Sequence, residues 1–155
     1  MLVLFFPLND AFSFEKRLLI DYMGIEVSNI SYSGNDEYRI EIIMMNNSKQ
    51  NIMVTGFEKR FYVQTDTGRD LLSDRITDSL SGILYSTAQR KMIVIAKVPL
   101  DMPQLYRTYE GDVSLILTYR LRFTADSGKE VFTKSGDEYY WISPRTDRWI
   151  HREGM

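Results

Sequence analysis

The residue types that could carry chemistry are few. The chain has no cysteine and a single histidine, His151, which removes thiolate nucleophiles, thiolate metal sites and any multi-histidine metal centre. A hydrolytic triad needs a nucleophile, a base and an orienting group that converge, and His151 reads instead as a solvated residue of an arginine-rich terminal stretch. Asp66, Asp70, Asp74 and Asp78 recur at every fourth position. On a helix they would line one face and offer the oxygen cluster that a hard cation takes. Gly68 interrupts such a helix, and Arg69 and Arg75 counter the carboxylates, so no metal is assigned, although the spacing alone leaves a cation open. No acidic pair stands out for glycoside hydrolysis, whose members can come from distant strands. Neither common glycine-rich phosphate loop is present. No catalytic residue and no cofactor is expected.

Binding chemistry is better represented. Tyr139, Tyr140, Trp141, Arg145, Arg148, Trp149 and Arg152 interleave aromatic rings with cations, a mixture that can stack bases or sugars and that protein interfaces favour. Two readings compete. In one, Tyr140, Arg145, Arg148 and Trp149 form an interaction surface. In the other, the better supported, Tyr139 and Trp141 share the buried face of a last strand and Trp149 covers an open end of the domain. A second candidate surface is the stretch from Pro99 to Tyr109, where Met102, Leu105, Tyr106 and Tyr109 fall in a loop between strands, the usual place for recognition. Asn29-Ile-Ser31 and Asn46-Asn-Ser48 match the glycosylation acceptor pattern, which has meaning only in a secretory pathway.

The elements that must position these residues are strands. Ile25, Val27, Ile30 and Tyr32 alternate with polar residues, allowing one slip near Asn29. After the Gly34-Asn-Asp36 turn, Tyr38, Ile40, Ile42 and Met44 share one face, and the opposite face turns apolar at Ile43 and Met45, as in a central strand. Asn46-Asn-Ser-Lys49 breaks the pattern. Asn51 to Phe57 and Arg60 to Thr65 are further alternating stretches, closed by a hairpin at Asp66-Thr-Gly68. Leu71 to Ser81 lacks strand character and is expected to be a loop with at most one helical turn. Gly82 to Tyr85 and Met92 to Val98 resume the pattern, and Pro99 ends it. The strongest alternation runs through Val113, Leu115, Leu117, Tyr119, Leu121 and Phe123, followed by a turn at Asp126-Ser-Gly128, a return over Lys129 to Lys134, and Glu138 to Ile142 after Gly136. Ser13 to Gly24 suits a short helix, with a capping serine and a terminal glycine, or equally a strand through Leu18, Leu19 and Ile20.

Short strands between turn signals, with little helix to build parallel units, predict an all-β fold: an antiparallel two-sheet immunoglobulin-like sandwich with a short N-terminal helix. At 155 residues and 44% hydrophobic content, one domain with its own core is affordable. The expected organisation is an N-terminal arm over 1–24, a sandwich over 25–142 and a C-terminal tail over 143–155. Met1 to Leu8 is too short to cross a bilayer; Ala11-Phe-Ser13 has the small residues of a signal-peptidase site, so residues 1–13 fit either the end of a signal peptide or an apolar arm. With 19 basic against 21 acidic residues, no whole-molecule field draws in nucleic acid or an anionic membrane. The succession of alternating strand, Asn-Asn-Ser, strand and Asp-x-Gly hairpin resembles the accessory immunoglobulin-like modules of cell envelopes, over Ile25 to Trp141, without the cysteine pair and packed tryptophan of antibody domains. The function expected is a non-catalytic binding or assembly module acting through protein contacts, with a protein partner or a second copy of itself and an extracytoplasmic location. The alternatives are a carbohydrate-binding module using Tyr106, Tyr109, Tyr140 or Trp149 as a stacking platform, and then a carboxylate-based hydrolase.

Overall fold

The computed structural model describes residues 19–35, 37–65, 68–76, 80–97, 113–125, 128–142 and 149–151. A helical turn at 19–22 leads into β1 (Met23–Gly34), β2 (Glu37–Asn46), β3 (Ile52–Thr65), β4 (Gly68–Leu71), β5 (Ser73–Ile76), β6 (Gly82–Leu84), β7 (Gln89–Lys97), β8 (Val113–Ala125), β9 (Val131–Ile142) and β10 (Trp149–His151). They form sheet A, four-stranded in the order β1-β2-β7-β5, and sheet B, six-stranded in the order β10-β9-β8-β3-β4 with β6 also paired to β3. This is the expected antiparallel two-sheet architecture. Among the described residues no helix is long and apolar enough to cross a membrane.

The strands with the cleanest alternation sit at the middle of each sheet. β2 lies between β1 and β7 and buries Tyr38, Ile40, Ile42 and Met44. β8 lies between β3 and β9 and buries Leu115, Leu117, Tyr119, Leu121 and Phe123. A strand paired on both sides has its backbone satisfied, so its side chains decide only which face turns inward. Asn51–Phe57 and Arg60–Thr65 prove to be parts of a single strand of 14 residues, β3. A register shift between Val54 and Gly56 inserts one extra residue, Thr55. The bulge changes the phase, so that Ile52 and Val54 before it and Phe61 and Val63 after it all reach the core. At the β1–β2 turn, Gly34 and Asn35 take φ of 86° and 55°, the left-handed region in which glycine and asparagine carry the least strain.

Two expectations are corrected, and Asp70 and Asp74 are placed on strands, as the break at Gly68 implies. Within Leu71–Ser81, expected as a loop, Ser73–Ile76 is a strand: β5 pairs with β7 from Ser73↔Lys97 to Ile76↔Val94. All of its residues are exposed, so it is specified by ladder hydrogen bonds and leaves no burial alternation to read. The same strand removes the helix that the aspartate series requires. Asp70 lies on β4 of sheet B and Asp74 on β5 of sheet A, with the chain changing sheets at buried Leu72, whose N–H donates to Phe61 O at 2.9 Å. Asp74 is already held by Lys59 Nζ at 2.6 Å, and no group of acids and histidines among the described residues could hold a metal; Asp66 and Asp78 lie outside them. Finally, the inward residues of the last long strand are Tyr140 and Ile142, with Tyr139 and Trp141 half-buried on the other face. β9 runs unbroken through Gly136, and its phase is therefore set from Phe132 onward.

Gly136 is required by a close approach. It pairs with Tyr119, whose ring stacks on Phe57 with centroids 6.3 Å apart, and a Cβ at this position would stand 2.8 Å from the Tyr119 hydroxyl and 3.0 Å from its Cζ. Gly136→Ala is expected to lower stability by about 1–3 kcal/mol, the range for overpacking a filled core. Adding Tyr119→Phe, which removes the nearest atom, should recover part of that loss in chemical denaturation; an alanine variant as stable as the parent would show that the ring moves freely.

The sandwich takes in residues on both sides of 25–142. Leu19 joins the core, and Lys134 Nζ donates to Met23 O at 2.5 Å and to Ile20 O at 3.3 Å, tying the helical turn to β9. At the other end β10 pairs with β9 through Trp149↔Ile142, Ile150↔Trp141 and His151↔Tyr140. His151 is therefore a strand residue, with Nε2 2.9 Å from Glu138 Oε2. The segment 1–13, considered above as a signal peptide, lies outside the described residues.

Candidate functional site

Of the residues singled out from sequence, Met102, Leu105, Tyr106, Tyr109, Arg145 and Arg148 lie outside the described residues. Tyr140 belongs to the interior: it is 1% exposed, and its hydroxyl accepts a hydrogen bond of 3.1 Å from Val27 N of β1, across the sandwich. Burial drives its phenol pKa well above the usual tyrosine range, the hydrogen bond from Val27 opposing this only in part. Trp149 is half-buried against the core and meets Tyr140 edge-on, at 6.2 Å and 62°; His151 lies on the same ring at 4.9 Å. These residues close one side of the sandwich. Asn46 is also internal, at 0% exposure with its side-chain amide committed to Gln50 O and Leu84 O, so it cannot serve as a glycosylation acceptor in the folded domain.

On the outer face of sheet B the strand register sets side chains in rows across the strands. At one end Ile83, Met53, Thr124 and Val131 stand side by side on β6, β3, β8 and β9. Three of them are large apolar residues left open, Ile83 at 40%, Met53 at 37% and Val131 at 56%. Towards the other end Leu71, Tyr62, Ile116 and Tyr139 make a second apolar row. Ile116 there is 1% exposed although it stands apart from the inner core. Between these rows runs a charged band. Glu58 pairs with Arg122 at 2.8 Å, whereas Arg60, Arg120 and Asp137 form no ion pair with another described residue. Glu58, Arg60, Tyr62, Thr118, Arg120 and Asp137 line a shallow depression of about 520 Å³. Arg69 of β4 reaches Tyr139 of β9, with Nη2 3.3 Å from the hydroxyl and the guanidinium 6.0 Å from the ring centre.

Sheet A presents a different outer face, on which charges neutralise one another. Arg75 holds the Glu37 carboxyl below its ordinary pKa, and Arg39, assisted by Lys91, does the same for Glu41. Exposed pairs of this kind contribute little to stability.

The apolar row on sheet B escaped the sequence reading because its members come from separate strands and meet only through register. The available signal was the apolar type of Met53, Ile83 and Val131 at positions that alternation turns outward.

No protein-family model matches the chain, and no curated protein does. Among solved structures, the GAE domain of yeast GGA1 is similar with a TM-score of 0.51 at 12% identity, over 77% of this chain and 90% of that one. The GAE domain of GGA2p from Saccharomyces cerevisiae gives 0.47 at 14% identity, over 79% and 91%. The secreted serine protease VesC from Vibrio cholerae gives 0.44 at 13% identity, over 82% of this chain and 25% of that one. The first likeness shows the fold, an immunoglobulin-like β-sandwich.

Proposed function

We propose that the domain is a non-catalytic protein-interaction module that offers the outer face of sheet B to a partner protein. The observation that carries this reading is the exposed row of Ile83, Met53 and Val131, contiguous across four neighbouring strands and bordered by the charged band. Apolar side chains scattered singly over a surface need no explanation, whereas a contiguous open patch rimmed by polar groups marks an interaction site. Catalysis has no comparable support: the one histidine is engaged with Glu138 and lies against the Tyr140 ring. A glycan platform needs exposed coplanar rings, and of the aromatic residues expected to supply it Tyr140 is buried and Trp149 is set edge-on against it.

The test is affinity capture from the source cells with the parent and with the Met53→Glu, Ile83→Glu double variant. The parent should recover a stoichiometric protein that the variant loses at least tenfold, a change of about 1.4 kcal/mol or more. The melting temperature should hold, because substitutions at exposed positions usually stay within about 0.5 kcal/mol. Capture of nothing by the parent, or equal capture by both, would sink the reading.

A further inference from the structure

We infer that β9 is a self-pairing edge, through which two copies of the domain associate antiparallel about a two-fold axis at Ser135. On the side away from β8, β9 is covered by β10 only at Tyr140–Ile142, and among the described residues no strand pairs with Val131–Tyr139 there. An unpaired row of N–H and C=O groups of this length is a template for another strand, and the occupant is a second copy because the segment complements itself. Ser135 lies midway between Val131, where the strand begins, and Tyr139, the last residue before the stretch that β10 covers. Reversal about Ser135 therefore fills the open ladder from end to end. It sets Val131 against Tyr139 of the second copy, Phe132 against Glu138, Thr133 against Asp137 and Lys134 against Gly136. No like charges meet. Lys134 faces a residue without a side chain, so it keeps its hydrogen bonds to Ile20 and Met23.

On the outer face the same pairing reaches further. Because Val131 ends the row Ile83-Met53-Thr124 and Tyr139 ends the row Leu71-Tyr62-Ile116, pairing Val131 with Tyr139 of the second copy joins one apolar row to the other across the axis. The polar rows ending in Thr133 and Asp137 join in the same way. Val131, 56% exposed at an open edge, gains an aromatic cross-strand partner, the type of pair that stabilises sheets. The inference does not rest on the partner-binding proposal: association along β9 and capture at Met53 and Ile83 can each fail alone.

The absence of cysteine makes the experiment clean. Ser135→Cys places two thiols at opposed positions, about 4.5–5.5 Å apart between Cα atoms, within disulfide reach. Thr133→Cys by itself sets its two copies about 14 Å apart along the strands. Each variant of the full chain, checked for parent-like circular dichroism, is oxidised mildly at low micromolar concentration and run without reductant. The expected result is a covalent dimer for Ser135→Cys and none for Thr133→Cys or Asp137→Cys singly, with a cross-linked heterodimer when these last two are mixed. Sedimentation of the parent should show a dimer that Val131→Lys weakens about tenfold, since two equivalent cross-strand pairs are lost. A parent that sediments as a monomer at 100 micromolar or so, or equal cross-linking at all three positions, overturns the inference.

Discussion

Asn46→Ala is expected to cost the domain about 3–5 kcal/mol, the upper range for single substitutions, and to lower the melting temperature by roughly 10 °C or more. Asn46 ends β2 with a side chain that is fully buried. Its Nδ2 donates to Gln50 O at 2.8 Å and Leu84 O at 3.0 Å, and its Oδ1 accepts from Ser48 N at 3.0 Å and Ser48 Oγ at 2.6 Å. One amide thus serves the turn that follows β2 and the end of β6 in the other sheet. Its backbone adds two bonds, to Ala88 O and from Thr87 N. Alanine would leave two carbonyls, an N–H and a hydroxyl without the partner, and an unsatisfied buried group costs about 1–3 kcal/mol. The four do not add in full, because Ser48 Oγ retains Gln50 O at 3.0 Å.

Asn46→Asp separates the hydrogen-bonding role from the packing role. The carboxylate is nearly isosteric, but it turns an acceptor towards Gln50 O and Leu84 O where two donors stood. Burial without a counter-charge disfavours the ionised form, so the new carboxyl should titrate above the unfolded value of about 3.9. A group whose folded pKa is raised binds more protons in the folded state. The variant is therefore expected to gain stability as the pH falls towards 4, where the parent gains none at this position, and to lie below the alanine variant at pH 7. Denaturant midpoints at pH 4.5 and 7 measure this. An aspartate variant equal to alanine at both would mean that water reaches the site and repairs the loss.

Where side-chain burial specifies an element, the sequence carried it; where the backbone ladder or a distant strand specifies it, the sequence was silent. β2 and β8 were legible because each has an unbroken apolar face. β5 was not, since every one of its residues is exposed and only its pairing with β7 makes it a strand. The inward phase of β9 was lost at Gly136, which reads locally as a turn residue; the reason for a glycine there is the Tyr119 ring, from another strand. Asn46-Asn-Ser48 read as a break in the pattern, and its place as a buried hub depends on Leu84, 38 positions away. For the same reason the candidate face could not be seen in advance: Met53, Ile83 and Val131 become neighbours only once β6, β3, β8 and β9 are in register.

Tyr140 is where the sequence reading of the aromatic C-terminal region and the structure make opposite quantitative claims. If it were a surface residue, replacing it would change stability by no more than about 0.5 kcal/mol. In the structure its ring supports both Trp149 and His151, and its hydroxyl satisfies the Val27 N–H of β1 from the opposite sheet. Tyr140→Ala is accordingly expected to lose about 3–5 kcal/mol, as for other large aromatic residues emptied from a core. Tyr140→Phe, which keeps the ring and removes the acceptor, should lose about 1–2 kcal/mol. The raised phenol pKa adds a pH signature: in the unfolded chain the group ionises near pH 10, in the folded domain only above it. Its contribution is thus present below pH 10 and falls as the pH rises past that point. Between pH 9 and 11 the parent should lose more stability than Tyr140→Phe, and the difference, read from urea midpoints, isolates this one phenol from the other tyrosines. Parallel pH profiles for the two proteins would place the Tyr140 hydroxyl in contact with water and reopen its assignment to the interior.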